Sequence, residues 1–544
     1  MPTDPEQLRR QQALVRALQN PAAYPHPVDT VELIETHISW VLLAGDYAYK
    51  IKKAVDLGFL DFSTLERRHH FCLEELRLNT RLAPDLYLGL VTLTGCWHRP
   101  RLCRNGPVLE FAVRMRRFDQ QALLLNMLAA GRLGARHVDA VADCVADFHA
   151  RIAVAPPDSP WGTPEAVWLP VAENFAHLEG VQAGPATART LARLRHWSRE
   201  EWQRLQPEFE RRHRGGHVRE CHGDLHLGNI AWIGDRPVPF DGIEFDPGLY
   251  WIDTMSEVAF LHMDLCDHDR EPLAWRFTDR YLSRTGDYAG LRVFRYYLCY
   301  RAMVRAKVAA IRAGQAPDPE QATAGRREFE AYVGLADRLA RRGRGCILLT
   351  HGLSGSGKST WTADLVGPLR AVRIRSDRER KRLFPSPPDA PGGDLYSAEA
   401  TRRTYARLAD LGREIAAAGW TVIVDAAALR RWQRDLLREA ARAAGAGFAI
   451  LWFRASPESL RARVRARQAA GRDISDADLR VLEAQLAAYA PPAREEMGTV
   501  LEIDTETCGP GQADALARRI RARCADKKNL PLREDKGGRN EETG

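Results

Sequence analysis

No stretch of this sequence approaches the roughly 18 consecutive apolar residues that a membrane span requires. The longest apolar runs, such as the one around Ile347–Leu349, are far shorter, so no membrane partner is expected. The N-terminus reads Met1-Pro2-Thr3-Asp4 and then turns polar and Arg-rich. It lacks the charged-then-apolar pattern of an export signal. The ten cysteines include no CxxC pair. That argues against a zinc knuckle or a disulfide framework and suits a reducing, cytoplasmic setting, with most thiols acting as small apolar fillers. No internal repeat is visible. Lysine is scarce: only nine of the 79 basic residues are lysines, so the position of each one is informative.

What is present is ordinary globular composition, 45% hydrophobic and 28% charged over 544 residues. That length suits two large domains, or three to four at about 150 residues each. The net charge of +8 fits either nucleic acid or phosphate-bearing small substrates.

Residues 4–19 have the apolar spacing of an amphipathic helix, and Asn20–Pro27 breaks it, so 1–29 reads as a helix and Pro-rich lead. Ile38–Ala44 and Tyr47–Val55 read as strands around a Gly45-Asp46 turn. Ser63-Thr64-Leu65-Glu66 has capping-box spacing and opens a helix to about Arg81. With strands at Leu86–Leu93 and Val108–Arg116, residues 30–118 read as a small, mostly antiparallel sheet carrying one helix. Residues 119–340 read as mostly helical, interrupted by a loop–strand–turn–strand unit at 221–245. From 346 to 525 strands and helices alternate, an α/β signature with a parallel sheet. The tail, 526–544, is polar, without periodicity, and reads as disordered.

Gly352-Leu-Ser354-Gly355-Ser356-Gly357-Lys358-Ser359 satisfies GxxxxGK[ST], with Thr360 next. An apolar strand leads in and a helix leads out. Glycines let backbone N–H groups curl around phosphate oxygens, and the helix N-terminus adds partial positive charge. Lys358 neutralises phosphate charge, and Ser359 ligates Mg²⁺. Ala371–Asp377 reads as a strand ending in a carboxylate, Asp377, placed to serve as a general base for a hydroxyl or to cap the helix that follows. Arg380, one turn on, is placed to hold an anionic part of the acceptor. Thr421–Asp425 is a strand ending in a carboxylate, the Walker-B pattern for Mg²⁺, with a structural strand-end aspartate as the alternative. The Arg-bearing helix from Leu460, with Arg465, reads as a lid over ATP or as a solvated face. Residues 346–510 resemble the small P-loop kinases that include polynucleotide kinase, gluconate kinase and chloramphenicol phosphotransferase. Asp377-x-x-Arg380 is similar to polynucleotide kinase, which implies a general base and an acceptor-phosphate contact. Arg472–Ala477 resembles the lid of sugar-type kinases. The two matches imply different acceptors.

The second constellation is His222-Gly223-Asp224-Leu-His226-Leu-Gly-Asn229, followed by two short strands and Asp241-Gly242. Asp224 and Asn229 are five apart, as in H-R-D-x-x-x-x-N, and Asp241-Gly242 stands where D-F-G would. The alternatives are a metal-hydrolase site and an inactive kinase relic. The stretch resembles the aminoglycoside phosphotransferase family, whose hallmark is HGDxHxxN, over roughly residues 30–335. That implies an α+β protein-kinase-like fold, with Asp224 as catalytic base and Asn229 and Asp241 on Mg²⁺. It also implies Glu244 near the site and Asp253 bracing the catalytic loop. The family's ATP lysine corresponds to Lys50 or Lys52, which share one strand face, with Lys50 preferred. Its helix partner is Glu75, with Glu66 and Glu74 as rivals. No G-x-G-x-x-G precedes this strand. His262, Asp264, Asp267, His268 and Asp269 read as a solvated helix end rather than a metal site.

The order of the units resembles a bacterial fusion of an aminoglycoside phosphotransferase-like domain with a P-loop kinase-like domain. The expectation is a multidomain cytoplasmic phosphotransferase with two Mg²⁺–ATP sites, acting on small hydroxyl compounds. A non-catalytic N-terminal sensor and a nucleic-acid 5′-OH kinase are the alternatives. Nucleic acid is not favoured as a partner, because no RNP, zinc-finger or helix-turn-helix signal occurs.

Overall fold

A computed structural model describes residues 5–58, 60–102, 105–385, 397–470, 479–487, 489–507 and 511–525. The expected lid segment at Arg472–Ala477 and the tail 526–544 lie outside these residues. The chain divides into two compact units: Met1–Asp269 with Tyr296–Ala340, and Arg270–Arg295 with Arg341–Gly544.

The first unit begins with α1 (Pro5–Leu18), then β1 (Val31–Glu35), β2 (Ser39–Ala44) and β3 (Tyr47–Lys52). Next come α2 (Leu65–Asn79), β4 (Tyr87–Cys96), β5 (Arg99–Leu102) and β6 (Val108–Arg116). The six strands form one antiparallel sheet in the order β1-β2-β3-β6-β4-β5. Strand alternation sends Leu42, Tyr49 and Ile51 to one face, where they pack with Leu14, Val15 and Leu18 of α1. Each such buried Leu or Ile contributes roughly 1.5–3 kcal/mol. Residues read from sequence as a lead are thus part of the sheet's core. Leu43, Ala48 and Val113 face the other way, toward Cys72 of α2. The cap of α2 is Thr64, whose Oγ1 accepts from the Arg67 N–H at 3.3 Å.

The helical part of this unit contains α3 (Leu124–Ala129), α4 (Ala135–Arg151), α5 (Pro164–Leu178) and α6 (Pro185–Arg214). Three short strands follow, β7 (Val218–Glu220), β8 (Ile230–Ile233) and β9 (Arg236–Pro239), then α7 (Pro247–Tyr250) and β10 (Trp251–Asp253). β8 and β9 form the expected hairpin, and β7 pairs with β10. α8 (Thr254–Asp267) is buried along almost its whole length. α9 (Glu271–Thr285) groups with the second unit. α10 (Leu291–Gln315), from Tyr296 onward, and α11 (Pro319–Ala340) complete the first.

The second unit runs β11 (Cys346–His351), α12 (Lys358–Leu369), β12 (Ala371–Arg375), α13 (Ser376–Leu383) and α14 (Ala398–Ala417). It continues with β13 (Thr421–Asp425), α15 (Arg431–Ala443), β14 (Gly447–Arg454), α16 (Pro457–Ala470), α17 (Leu479–Ala487), β15 (Val500–Asp504) and α18 (Ala513–Ala525). Its five strands are all parallel, in the order β12-β13-β11-β14-β15. Strands buried on both faces explain why β11, β13 and β14 read as continuous apolar runs. The sequence reading assigned 270–295 to the preceding helical lobe; in the structure these residues belong here. Asp279 of α9 accepts from the Arg373 N–H at 2.6 Å and pairs with its guanidinium at 3.1 Å. Trp275 and Phe294 pack against Trp420, and Arg295 lies 3.9 Å over its ring. A helical period cannot reveal which core a helix joins. Among the described residues no helix is long and apolar enough to cross a membrane.

Candidate active sites

In the first unit, β3 brings Lys50 and Lys52 to the sheet face that carries α2, because both share the parity of Ala48. Glu75 of α2 bridges them. Lys50 Nζ donates to Oε1 at 2.9 Å and Lys52 Nζ to Oε2 at 2.7 Å. Each lysine also reaches a carboxylate beyond the hairpin: Lys50 pairs with Asp241, and Lys52 with Glu244. Glu75 has no exposed surface, and burial alone would raise its pKa, but the two ammonium groups bring it down to about 2. Burial opposes the charge on Lys50, yet Asp241 and Glu75 hold its pKa well above the ordinary value. Lys52 is buried with Glu244, whereas Lys50 meets the half-exposed Asp241. Lys50 is therefore the lysine at the cleft. The rivals to Glu75 are elsewhere: Glu74 pairs with Arg77, and Glu66 lies in the exposed first turn of α2.

The catalytic-type loop is built by side chains accepting its backbone N–H groups. Glu257 of α8 accepts from the His222 and Gly223 amides at 2.8 and 2.7 Å and is bonded by His149 at 2.9 Å. Arg301 of α10 donates to the Gly223 carbonyl at 3.1 Å. Gly223 has φ +87, and a Cβ there would lie 2.8 Å from the Leu249 carbonyl oxygen, so no other residue fits. Asp264 accepts from the Leu227 N–H at 2.8 Å. His262 and Asp264 are buried, which corrects the expectation of a solvated helix end for those two: α8 is a core helix whose polar groups serve the loop. Asp253 differs from expectation too. It pairs with buried Arg212 at 2.6 Å and caps α8, leaving Glu257 to brace the loop.

Asn229 Nδ2 donates to the Asp224 carbonyl and carboxylate at 3.0 and 2.9 Å. This leaves Asn229 Oδ1 as an oxygen donor for a cation. His226 Nδ1 accepts from the Gly228 N–H at 3.1 Å, so its Nε2 carries the hydrogen that faces Asp224 Oδ2 at 3.4 Å. Burial would raise the Asp224 pKa, but the neighbouring His226 and His222 hold it well below the usual carboxylate range. Asp241 has φ +60 and is fixed by its N–H donating to Tyr87 Oη at 3.1 Å. The Gly242 N–H donates to Asn79 Oδ1 at 2.7 Å. Lys50, Glu75 and Asp241 thus form one ion-pair network and Asp224 with Asn229 a second, joined where the Phe240 N–H donates to the Asn229 carbonyl at 2.9 Å. Asn79, Tyr87 and Glu257, which orient them, carried no motif signal.

Where a glycine-rich phosphate cover would stand, β1 and β2 are joined by Thr36–Ile38. Thr36 Oγ1 accepts from the Ile38 and Ser39 amides at 3.4 and 3.0 Å. The Thr36 N–H donates in turn to the Ser39 carbonyl at 2.9 Å.

In the second unit the loop between β11 and α12 is shaped by close backbone approaches. Gly355 has φ +82, and a Cβ there would meet the Leu460 carbonyl oxygen at 2.8 Å. Lys358 Nζ donates to the Gly352 and Leu353 carbonyls at 2.9 and 2.7 Å and to Ser356 Oγ at 3.3 Å. Burial pushes its pKa down to about 8, against the pull of Asp425 and Asp377. Ser354 donates its N–H to Gln485 of α17 at 2.8 Å. Ser359 and Thr360 are exposed on the first turn of α12, following Gly357 at the N-cap. Asp425 ends β13 beside β11; Thr362 Oγ1 donates to it at 3.5 Å and Arg375 lies 3.7 Å away. Arg380 is buried on α13, and Asp377 stands at the start of that helix. Tyr405 of α14 feels both charges, and its hydroxyl accepts from the Ala428 N–H at 2.9 Å. Arg465 is exposed. From α16, Arg463 donates to the Gly355 carbonyl at 3.4 Å and to Thr505 at 2.8 Å, and the charge of Arg467 acts on Lys358. The alternation of Arg461, Arg463, Arg465 and Arg467 in sequence hid these differences.

A family model described as an AAA domain matches residues 347–492. The chain is 30% identical over 492 residues to the uncharacterised protein Rv2004c of Mycobacterium tuberculosis, covering 88% of this chain and 94% of that one. The uncharacterised protein Mb2027c of Mycobacterium bovis matches to the same extent. Among solved structures, a choline/ethanolamine kinase family protein from Mesorhizobium loti is similar at 13% identity, over 60% of this chain and 99% of that one, with TM-score 0.36. Aminoglycoside 2′-phosphotransferase-IIIa is similar at 15% identity, over 60% and 99%, with TM-score 0.37. A gluconokinase from Sinorhizobium meliloti 1021 is similar at 24% identity, over 34% and 92%, with TM-score 0.24. The first unit is an α+β fold, an antiparallel sheet followed by a helical part, and the second is an α/β fold with a parallel sheet, whose P-loop lies within the match to the AAA domain model.

Proposed function

Because the chain belongs to the family of the Mycobacterium tuberculosis protein Rv2004c, spanning nearly all of that protein's length, we propose that it is an ATP-dependent phosphotransferase with two Mg²⁺–ATP sites. The observation that carries this reading is the Lys50–Glu75–Asp241 ion-pair network, joined through the Phe240–Asn229 backbone hydrogen bond to the Asp224–Asn229 pair. A contiguous P-loop stands in the other unit. The donor sets fit Mg²⁺, a hard cation that takes oxygen ligands. Asn229 Oδ1 and the Asp241 carboxylate would hold it in the first unit, and Ser359 with Asp425 in the second. Bound there, the cation offsets phosphate charge.

The chain's own groups do the rest. In the first unit Lys50 leaves Asp241 for the ATP phosphates, while Glu75 keeps it oriented. Asp224 accepts the proton of an acceptor hydroxyl as that oxygen bonds to the γ-phosphorus and the bond to the β-phosphate oxygen breaks, releasing ADP. Its low pKa suits a base that orients the hydroxyl and takes the proton late. In the second unit Asp377 has the same part, Lys358 exchanges loop carbonyls for phosphate oxygens, and Arg380 meets an anionic portion of the acceptor. The acceptors are small hydroxyl compounds; nucleic acid ranks behind them, and the site of action is the cytoplasm.

The Thr36–Ile38 turn, whose Ile38 N–H is already held with that of Ser39 by Thr36 Oγ1, favours one second reading, in which the first unit binds nucleotide without turnover and regulates the second. Mg²⁺-dependent ATP turnover decides between them. Wild type, Lys358→Ala, Asp224→Ala and the double variant are assayed with sugars, aminoglycosides and 5′-OH oligonucleotides. Separate components lost in each single variant support two enzymes. Turnover lost in Lys358→Ala and untouched in Asp224→Ala on every acceptor favours the sensor.

A further inference from the structure

The P-loop unit holds a cysteine pair that its phosphotransfer chemistry does not use. Cys346 is the first residue of β11, the strand whose other end leads into the P-loop. Cys524 lies in the last turn of α18, 178 residues later. Their Sγ atoms are 2.7 Å apart. The two sulfurs are not joined in a disulfide. A disulfide needs its sulfurs at about 2.05 Å, so bond formation requires a movement of well under 1 Å. The surroundings hold the pair together. Leu516, Ala517 and Ile520 bring α18 into the core formed by Leu348, Leu365 and Phe453, and Cys524 packs against that cluster. Gly447 passes beside both: a Cβ there would lie 3.3 Å from Cys346 Sγ and 3.2 Å from the Cys524 carbonyl oxygen.

The other cysteines show what sets this pair apart. Cys72 and Cys299 are buried, and burial pushes each thiol up to about 12. These are the small core fillers expected from sequence. Cys346 is also buried, and its hydrogen bond with Cys524, with burial, raises its pKa well above the ordinary value. Cys524, in contrast, is partly exposed and open to a reagent in solution.

We propose that Cys346 and Cys524 form a reversible disulfide site, oxidised by low-molecular-weight disulfides such as oxidised glutathione, which staples α18 to the strand carrying the P-loop. Cys524 thiolate attacks one sulfur of the reagent, and one thiol leaves. Cys346, losing its proton, then attacks Cys524 Sγ, and the second thiol leaves. Two protein thiols are oxidised and one small disulfide is reduced to two thiols. The bond lies at the end of β11 remote from the P-loop, so it acts on the endurance of the unit rather than by occupying the nucleotide site. Closing a loop this long restricts the unfolded chain strongly.

The test uses the full-length protein, reduced, desalted and incubated with oxidised glutathione. Free thiols are then alkylated and the protein is mapped by mass spectrometry without reductant. The expected product is one cross-linked peptide pair containing Cys346 and Cys524, 2 Da lighter than the two thiols, absent in Cys524→Ser and reversed by dithiothreitol. The oxidised wild type should melt several degrees above its reduced form. Cys524→Ser and the independent Cys346→Ala variant should melt at the same temperature with and without oxidant. Recovery of both cysteines as alkylated or glutathionylated monomeric peptides would overturn the proposal, as would a cross-link that leaves the melting temperature unchanged.

Discussion

Under the proposed function the two sites solve one problem, holding phosphate charge, with opposite materials. The P-loop site is made of contiguous backbone: Lys358 rests on carbonyls five and six residues before it. The first unit's site is made of side chains gathered across nearly 200 residues, with Lys50 on Asp241 and Lys52 on Glu244. In the P-loop unit a half-buried lysine rests on neutral carbonyls and its charge is disfavoured. In the first unit two lysines are buried against three carboxylates and their charge is enforced. The difference teaches that a backbone cradle waits for its anion, whereas a side-chain network must carry counter-ions of its own until the nucleotide arrives.

The strongest way to break this comparison is to separate the units. Residues 341–544 expressed alone lack α9, and so lack the Asp279 partner of Arg373 and the Trp275 and Phe294 neighbours of Trp420. This fragment is expected to be insoluble or to melt without a cooperative transition. Appending 270–295 through a linker should restore one, as read by circular dichroism.

The next effect is on stability. Glu75→Ala removes the carboxylate that two buried ammonium groups share, leaving one partner each, Asp241 for Lys50 and Glu244 for Lys52, and is expected to cost up to about 3–5 kcal/mol. Lys358→Ala removes a charge that the fold disfavours and is expected to leave stability unchanged or slightly higher. Urea unfolding of the two variants measures the contrast.

A subtler distinction lies in protons. The Lys358 pKa is about 8 when folded against an ordinary 10.5. Between those values the unfolded chain binds a proton that the folded chain has lost, so this group makes stability rise with pH across that window. Below pH 8 the cost of the buried charge is present in full. Nucleotide phosphate restores the proton, so ATP binding at pH 8–9 should take up protons. Calorimetry in buffers of different ionisation enthalpy reads this uptake. It should vanish in Lys358→Ala and persist in Asp224→Asn, because Lys50 stays charged throughout.

The smallest effect concerns the exposed Arg465. Arg465→Ala should change the KM for ATP by no more than a few-fold, and less than Arg463→Ala, which removes a direct contact with the P-loop.

The same contrast explains what could be read before the structure. The P-loop is legible because its function is local: glycines, lysine and hydroxyl stand in one run. Asp224, Asn229 and Asp241 are legible for the same reason, being held on one loop and hairpin. The parity of β3 put Lys50 and Lys52 on one face but could not separate them, since that depends on which carboxylate each one meets across the cleft. Glu257 and Asp264 could not be found, because a helix buried on all sides gives no periodicity to mark a functional face. α9 was misassigned for a related reason: Asp279 becomes recognisable as a partner only once Arg373 stands beside it.

The central claim is that one chain carries two independent nucleotide sites. Equilibrium binding of a non-hydrolysable ATP analogue with Mg²⁺ to the full-length protein tests it most directly. The account predicts two molecules bound per chain in wild type, with one site lost or severely weakened in Lys358→Ala and the other in Lys50→Ala. One molecule bound in wild type, lost in Lys358→Ala and unaffected by Lys50→Ala, would contradict it.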